Sequence, residues 1–331
     1  MQKEFSSINK RIWITWENQR RNHTLSSALG AKLFQFDLKL NRFVRYPIAL
    51  LKTFITFIKE QPVLIFVQNP SFVLSLFAVN YGRFLNIPII VDAHNAGIYP
   101  FNGTKRWANR LAIYLFRFAT FTIVTNDALA EYVKSKGGRP VVLPDPIPEF
   151  AYQPQKKDLK GKFNFLFICT WASDEPYIDV IKAATLLEKT TCIYITGNSK
   201  GKEKEFDGIL PENVILTGYL IEEDYVEMLY SCDAVVDLTI RENCLVCGAY
   251  EAVAMERPLI ISDTKALREY FSTGALYTNN IHTDIAGKIS MAIVERARMK
   301  EEIKILKTIL VSEWDKKKKV FEELLQGAIS K

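Results

Sequence analysis

Histidine is scarce in this chain, three in 331 residues, and so is cysteine, with five, all in the second half. No run reaches the ~18 uninterrupted apolar residues that a membrane-spanning helix needs, and residues 1–6 lack the apolar core of a secretory leader. A cytoplasmic protein is expected, in contact with a membrane at its inner surface if at all. Cys169, Cys192 and Cys232 sit in or beside apolar runs and read as small core residues. Cys244 and Cys247 form a C-x-x-C, but there is no second pair and no histidine between residues 95 and 281, so zinc or redox chemistry is not expected. The D-x-D signature of metal-dependent transfer is absent and no metal-binding triad stands out. The expected chemistry uses neither metal nor resident cofactor.

Nearly half of the residues are apolar and about a quarter are charged, the balance of a globular chain. The length suits two domains of about 150 residues each. A net charge of +6 fits an anionic ligand or an anionic membrane surface, and nothing else in the chain asks for nucleic acid.

Short apolar, β-branched runs alternate with helix-like stretches, which argues for parallel, doubly wound sheets. In the first half the runs are 12–16, 63–68, 88–92, 121–125 and 140–143; in the second they are 163–169, 191–195, 214–216, 234–238, 259–261 and 275–277. Between the halves, Pro144-Asp145-Pro146-Ile147-Pro148 is too stiff to continue a strand or a helix. Domains at 1–148 and 149–312 are expected, then a last helix from 313 to 329. Residues 42–59 mix bulky apolar with basic side chains and carry no acid. They read equally as a helix lying in a membrane interface or as a core helix with snorkelling lysines. Residues 104–120 carry Lys105, Arg106, Arg110 and Arg117 and again no acid.

The most informative stretch is 241–252, Arg-Glu-Asn-Cys-Leu-Val-Cys-Gly-Ala-Tyr-Glu-Ala. It leaves a buried strand and feeds an alanine-rich helix that Pro258 closes. A helix start of this kind presents free N–H groups and the positive end of a dipole to an anion. Gly248 would let a ligand approach the backbone, and Glu251, one turn further on, could accept the hydrogen bonds of a ribose diol. One more plain strand-loop-helix unit is the alternative.

This run, continued by Glu251-Ala252-Val253-Ala254-Met255-Glu256-Arg257-Pro258 and the apolar strand after it, resembles the nucleotide-sugar half of family-4-like glycosyltransferases with the GT-B fold. The resemblance implies two Rossmann-like domains facing across a cleft, with the final helix crossing back to the first. It also implies transfer of a sugar from a UDP- or GDP-sugar to a glycan or polyprenyl-linked acceptor in surface-polysaccharide assembly. Thr170, Trp171, Gly197, Gly218, Tyr219, Leu220, Glu242, Asn243, Cys247, Gly248 and Glu251 are the donor-side residues it points to. Three departures stand out. Where the family places the first of two glutamates this chain has Asn243, with Glu242 one step away. Where the family has a cationic clamp after the first strand of the second domain, Asp174 and Glu175 stand. The glycine-rich loop after the first strand of the chain is missing as well, and Glu17, Arg20, Arg21 and His23 take its place. The arginines there could clamp a phosphate; a solvated charged turn is the alternative. Absence of the clamp favours the inverting type, such as the glucuronosyltransferases of xanthan-type assembly. That type needs one general base, for which Asp92 and His94 are the candidates. An epimerase of the same shape, or a degenerate partner subunit, are the rival readings.

Overall fold

The computed structural model describes residues 10–69 and 71–330. The chain divides into two compact units, Met1–Asp145 with Glu313–Lys331, and Pro146–Ser312.

In the first unit, β1 (Arg11–Thr15), β2 (Lys32–Gln35), β3 (Leu64–Asn69), β4 (Ile89–Ala93), β5 (Phe121–Val124) and β6 (Pro140–Val142) form one parallel sheet in the order β2-β1-β3-β4-β5-β6. The helices between them are α1 (Arg20–Ala28), α2 (Arg42–Glu60), α3 (Phe72–Leu85), α4 (Asn95–Ile98), α5 (Arg106–Phe118) and α6 (Asp127–Ser135). The central strands are apolar on both faces because helices cover both. Trp13 stacks on Phe66 with ring centroids 5.2 Å apart on one face, and Ile12, Ile14, Ile65 and Val67 fill the other. β2 escaped the sequence reading: Lys-Leu-Phe-Gln is a four-residue edge strand, only half-buried, with no apolar run to mark it. α2 begins where the Asn41 side chain accepts the N–H groups of Phe43 and Val44, at 3.0 and 3.3 Å.

In the second unit, β7 (Phe163–Phe167), β8 (Thr191–Thr196), β9 (Val214–Gly218), β10 (Ala234–Asp237), β11 (Leu259–Ser262) and β12 (Ala275–Thr278) lie parallel in the order β12-β11-β10-β7-β8-β9. Helices α7 (Tyr177–Ala184), α8 (Glu203–Phe206), α9 (Glu222–Ser231), α10 (Cys247–Ala254) and α11 (Lys265–Tyr270) connect them.

The last helix is longer than expected. α12 runs unbroken from His282 to Ile329 because neither Gly287 nor any proline stops it. From Glu313 onward it belongs to the first unit. There Trp314, Phe321 and Leu325 join the core of Trp13 and Phe66, the Trp314 indole donates to the Pro144 carbonyl at 2.9 Å, and Arg11 meets Glu322 at 2.7 Å. Among the described residues no helix is long and apolar enough to cross a membrane.

Candidate functional site

A doubly wound sheet binds ligands where the strand order reverses, outside the carboxyl ends of the two strands on either side. In the second unit that point lies between β7 and β10. The loop after β7 and the start of α10 meet there. A Cβ on Gly248 would stand 2.3 Å from the Ile168 side chain and 2.6 Å from an Asp237 carboxylate oxygen, so only glycine lets helix, strand and loop close up. Gly248 is therefore buried against the protein, which corrects the expectation that it faces a ligand.

The first turn of α10 has no side-chain cap, its preceding residue being Val246. Asp237, at the end of β10, takes that part: the backbone N–H groups of Gly248 and Ala249 reach its buried carboxyl. Burial, then the negative charges of Glu175 and Glu251, still push this carboxyl well above the usual carboxylate range, and one of its oxygens has no hydrogen bond. The helix-end amides expected to hold a diphosphate are thus partly engaged from within. The loop 243–247 leads into that helix start and ends at the exposed Cys247.

Glu251 sits one turn along α10 and accepts a short hydrogen bond from the Tyr225 hydroxyl of α9. That fixes its carboxylate at the switch point, as a diol acceptor requires. Beside β9, Gly218 has φ +69° and open space where a side chain would be, and Tyr219 next to it is 82% exposed. An open backbone beside an exposed ring suits a flat heterocycle. Leu220 is half-buried in the same turn. Gly197 (φ +86°) packs on the Cys169 carbonyl, 2.2 Å from a would-be Cβ, and its N–H bonds the Gly218 carbonyl at 3.0 Å, so it supports this loop.

The β7 loop differs from expectation. Trp171 is buried between Tyr177 and Phe206, its indole donating to the Thr196 carbonyl at 3.0 Å; it packs the loop and presents no face to a ligand. Glu175 folds back over the loop and accepts the Thr170 and Ala172 N–H groups at 2.9 Å and the Thr170 hydroxyl at 2.9 Å. Burial and Glu175 push the Cys169 thiol up, which leaves it an inert core group. Asp174 pairs with Arg241 at 3.0 Å, neutralising the one cation of the 241–252 stretch. Glu242 is exposed and accepts the Lys265 N–H at 3.2 Å at the start of α11. Asn243 lies half-buried between them. Among the described residues no group of three or more His, Cys, Asp and Glu could hold a metal ion.

In the first unit the reversal lies between β1 and β3. A buried amide network closes it: Asn22 donates to Gln68 at 2.9 Å, Gln68 to Gln19 at 2.6 Å, and Gln19 to the Glu17 carboxylate at 2.9 Å. Glu17 is thereby held at the rim, and Arg20 opens α1 exposed. Arg21 is not the phosphate clamp that its position led one to expect. It is buried, with Nη2 2.8 Å and Nε 3.0 Å from the Asp92 carboxylate, Nη1 2.8 Å from Asp145 and Nη2 3.1 Å from the Leu143 carbonyl. Burial opposes the charge of Asp92, but the Arg21 guanidinium wins and holds its carboxyl well below the usual carboxylate range. A carboxylate so held is a poor proton acceptor, which removes Asp92 from the role of base.

His94 follows β4 directly. Its ring is half-exposed, with Nε2 3.5 Å from Asp92 Oδ2, at the outer limit of a polar contact. Its N–H bonds the Asn69 carbonyl at 3.3 Å, and its carbonyl accepts the N–H groups of Gly97 and Ile98, so α4 starts from it. With Nε2 turned to Asp92, Nδ1 is the nitrogen left to take a proton. Asp237 and Tyr225, which the sequence reading left without a role, were signalled only weakly: an acid ending an apolar strand, and one of two tyrosines on α9.

Residues 162–294 match the family described as "Glycosyl transferases group 1". No match was found among curated proteins. Solved structures of the same fold include Anabaena HepE in complex with UDP and glucose (13% identity, 96% of this chain and 92% of that one, TM-score 0.73). They also include sucrose-phosphate synthase of Thermosynechococcus elongatus (14%, 91% and 84%, 0.71). S. aureus MnaA with UDP is more distant (12%, 88% and 90%, 0.57). At these identities the likeness shows the fold, GT-B, and the family match adds the activity of the second unit. The chain has the GT-B fold, and its second unit carries, in residues 162–294, a domain that matches the group 1 glycosyltransferases.

Proposed function

We propose that the protein moves a sugar from a nucleotide-diphosphate donor, UDP- or GDP-linked, to a hydroxyl of a glycan or lipid-linked acceptor in surface-polysaccharide biosynthesis, at the cytoplasmic face of the membrane and without a metal ion. The observation that carries the donor is the Glu251 carboxylate, locked by Tyr225 at the switch point of the second sheet, with the open backbone of Gly218 and the exposed Tyr219 nearby. Glu251 takes the ribose diol, Tyr219 and Leu220 flank the base, and the diphosphate lies over the loop 243–247 at the positive end of the α10 dipole. That HepE and MnaA were each solved with UDP is in keeping with this reading.

In the reaction, His94 Nδ1 removes the acceptor hydroxyl's proton as the oxygen attacks the anomeric carbon, and the nucleoside diphosphate leaves. Asp92 acts behind His94: a carboxylate that stays ionised favours the imidazolium that forms. Arg21 keeps it ionised and in place.

The test is a thermal-shift and calorimetric screen against UDP, GDP, dTDP and CMP. A ligand at 100 times its Kd stabilises the native state by ~2.7 kcal/mol. One diphosphate should raise the melting temperature while CMP does not. No shift with any of the four would refute the donor site.

A further inference from the structure

The amide network at the carboxyl ends of β1 and β3 has a direction. The Trp13 indole N–H can only donate, so Asn22 turns its oxygen towards it, at 3.0 Å. The Asn22 N–H group is then left for the Gln68 oxygen at 2.9 Å, that of Gln68 for the Gln19 oxygen at 2.6 Å, and that of Gln19 for Glu17 Oε2 at 2.9 Å. Trp13, Asn22 and Gln68 are buried, so the order is set in the core and carried outward to the rim. Such a chain polarises its members in one sense and must end on a group that accepts. It ends on a carboxylate.

The turn that carries Glu17 is held by its own backbone. Its N–H donates to Thr15 Oγ1 at 3.1 Å, and its carbonyl lies 3.0 Å from the same hydroxyl. Glu17 is half-buried, and with Oε2 given to Gln19 its Oε1 has no partner among the described residues. β1 and β4 are separated by β3 alone. Glu17 and His94, each just past the end of its strand, therefore leave the sheet two strand spacings apart, about 10 Å. One sugar ring can bridge that separation. A fixed oxygen that only accepts selects O–H donors, which a sugar supplies on adjacent carbons. A phosphate supplies none and is repelled, and the Arg21 guanidinium that would have drawn it is spent on Asp92 and Asp145.

We propose that Glu17 determines acceptor specificity: its Oε1 takes one hydroxyl of an acceptor sugar while a neighbouring hydroxyl is presented to His94. The protein then extends a molecule that already bears a sugar and does not begin one on a phosphate, so an earlier sugar transfer must supply its substrate. The proposal rests on the transferase reading above in calling the sugar an acceptor. The sugar-binding face itself stands on the directed amide chain.

Glu17→Gln is the informative variant. The new amide keeps an oxygen for Gln19 and turns its N–H group outward, so the chain and the shape survive while the free face changes from acceptor to donor. The probes are the methyl glycosides of glucose, galactose, mannose and N-acetylglucosamine, and inorganic phosphate, added to the full-length protein with and without UDP. Ligand-observed NMR reads them, by proton for the glycosides and by phosphorus for phosphate. At least one glycoside should bind the parent, and Glu17→Gln should weaken it about 10-fold. The variant should hold phosphate at least as well as the parent does, with melting temperature and UDP response unchanged. Gln19→Leu, which cuts the chain and keeps the carboxylate, should weaken the same glycoside by less. Binding of no glycoside, equal binding by parent and Glu17→Gln, or tighter binding of phosphate than of any glycoside by the parent overturns the proposal. Binding of UDP without any glycoside removes Glu17 from the acceptor site and leaves the transferase standing. Binding of a glycoside through Glu17 without any nucleotide does the reverse.

Discussion

The Arg21–Asp92 pair offers the sharpest test of how the first unit is built. Asp92 is fully buried and Arg21 nearly so, and the two meet through both Nε and Nη2. Removing one member of a buried pair leaves an uncompensated charge and costs about 3–5 kcal/mol, whereas replacing both by apolar groups is close to neutral. Arg21→Met should cost the full amount, because Asp92 then keeps only the distant His94. Asp92→Leu should cost somewhat less, ~2–4 kcal/mol, since Asp145 and the Leu143 carbonyl still hold the guanidinium. The double variant should return to within ~2 kcal/mol of the parent. In a unit of this size 1 kcal/mol moves the melting point by roughly 2–4 °C, so the single variants should melt about 5–15 °C lower in differential scanning calorimetry. The pH dependence has a definite sign. Asp92 has a depressed pKa in the fold, so its contribution is complete above the unfolded value of about 3.9 and is lost as the pH falls from there towards the folded value. The gap between parent and Asp92→Leu should narrow below pH 4. Single variants within ~1 kcal/mol of the parent, or a double variant as unstable as the two losses added together, would refute the reasoning.

Other perturbations address the reaction and the donor. His94→Gln should lower kcat by at least ~100-fold and leave the nucleotide dissociation constant unchanged in calorimetry; unchanged turnover would move the base elsewhere. Glu251→Ala should weaken nucleotide binding by ~1–3 kcal/mol and Tyr225→Phe by less, since the latter frees the carboxylate without removing it. Equal affinity of Glu251→Ala and parent would end the ribose assignment. Gly248→Ala should destabilise the second unit by ~1–3 kcal/mol, because its Cβ has no room against Ile168 and Asp237; chemical denaturation measures it.

The two sheets were legible in the sequence because their strands are buried on both faces and so read as continuous apolar runs. β2 was not, since a four-residue edge strand leaves no such trace. The single helix α12 was read only over its last part, although Asn279, Asn280 and Asp284 mark its start. In the candidate site, the sequence reading of 241–252 as a loop leaving a strand and feeding a helix agrees with β10 and α10. It did not reveal which charges are consumed by other charges. Arg21 and Asp92 are 71 residues apart, and Asp174 and Arg241 are 67 apart; only the fold brings each pair together. The first pairing removed the role of a phosphate clamp from Arg21, and the second leaves Arg241 neutralised beside the donor loop. Trp171 was misread for a related reason: a strand-end aromatic looks like a ligand platform until its indole is found bonded inside the core.

The charge left at the donor site has a consequence for binding. Glu175, Asp237 and Glu251 lie close enough to act on one another, Arg241 is neutralised by Asp174, and a nucleotide-diphosphate sugar brings further negative charge. Asp237 can relieve the repulsion, because its raised pKa lets it take up a proton when an anion arrives. Binding then consumes protons, so affinity must fall as the pH rises. The same group makes folding less favourable as the pH rises, since a carboxyl whose folded pKa is raised contributes stability that is lost upward in pH. UDP-glucose is the suitable probe, having no terminal phosphate monoester with a pKa near 6 to titrate in the same range. Its dissociation constant in calorimetry should increase as the pH rises through the range in which Asp237 loses its proton. In Asp237→Asn, where the amides of Gly248 and Ala249 keep an oxygen to bind, the constant should be smaller and nearly independent of pH, and the protein more stable at pH 8 by ~1–3 kcal/mol. A parent affinity that is flat across this range, or a variant that binds more weakly than the parent at pH 8, would mean that Asp237 is not sensed by the diphosphate and that the donor lies elsewhere than at the start of α10.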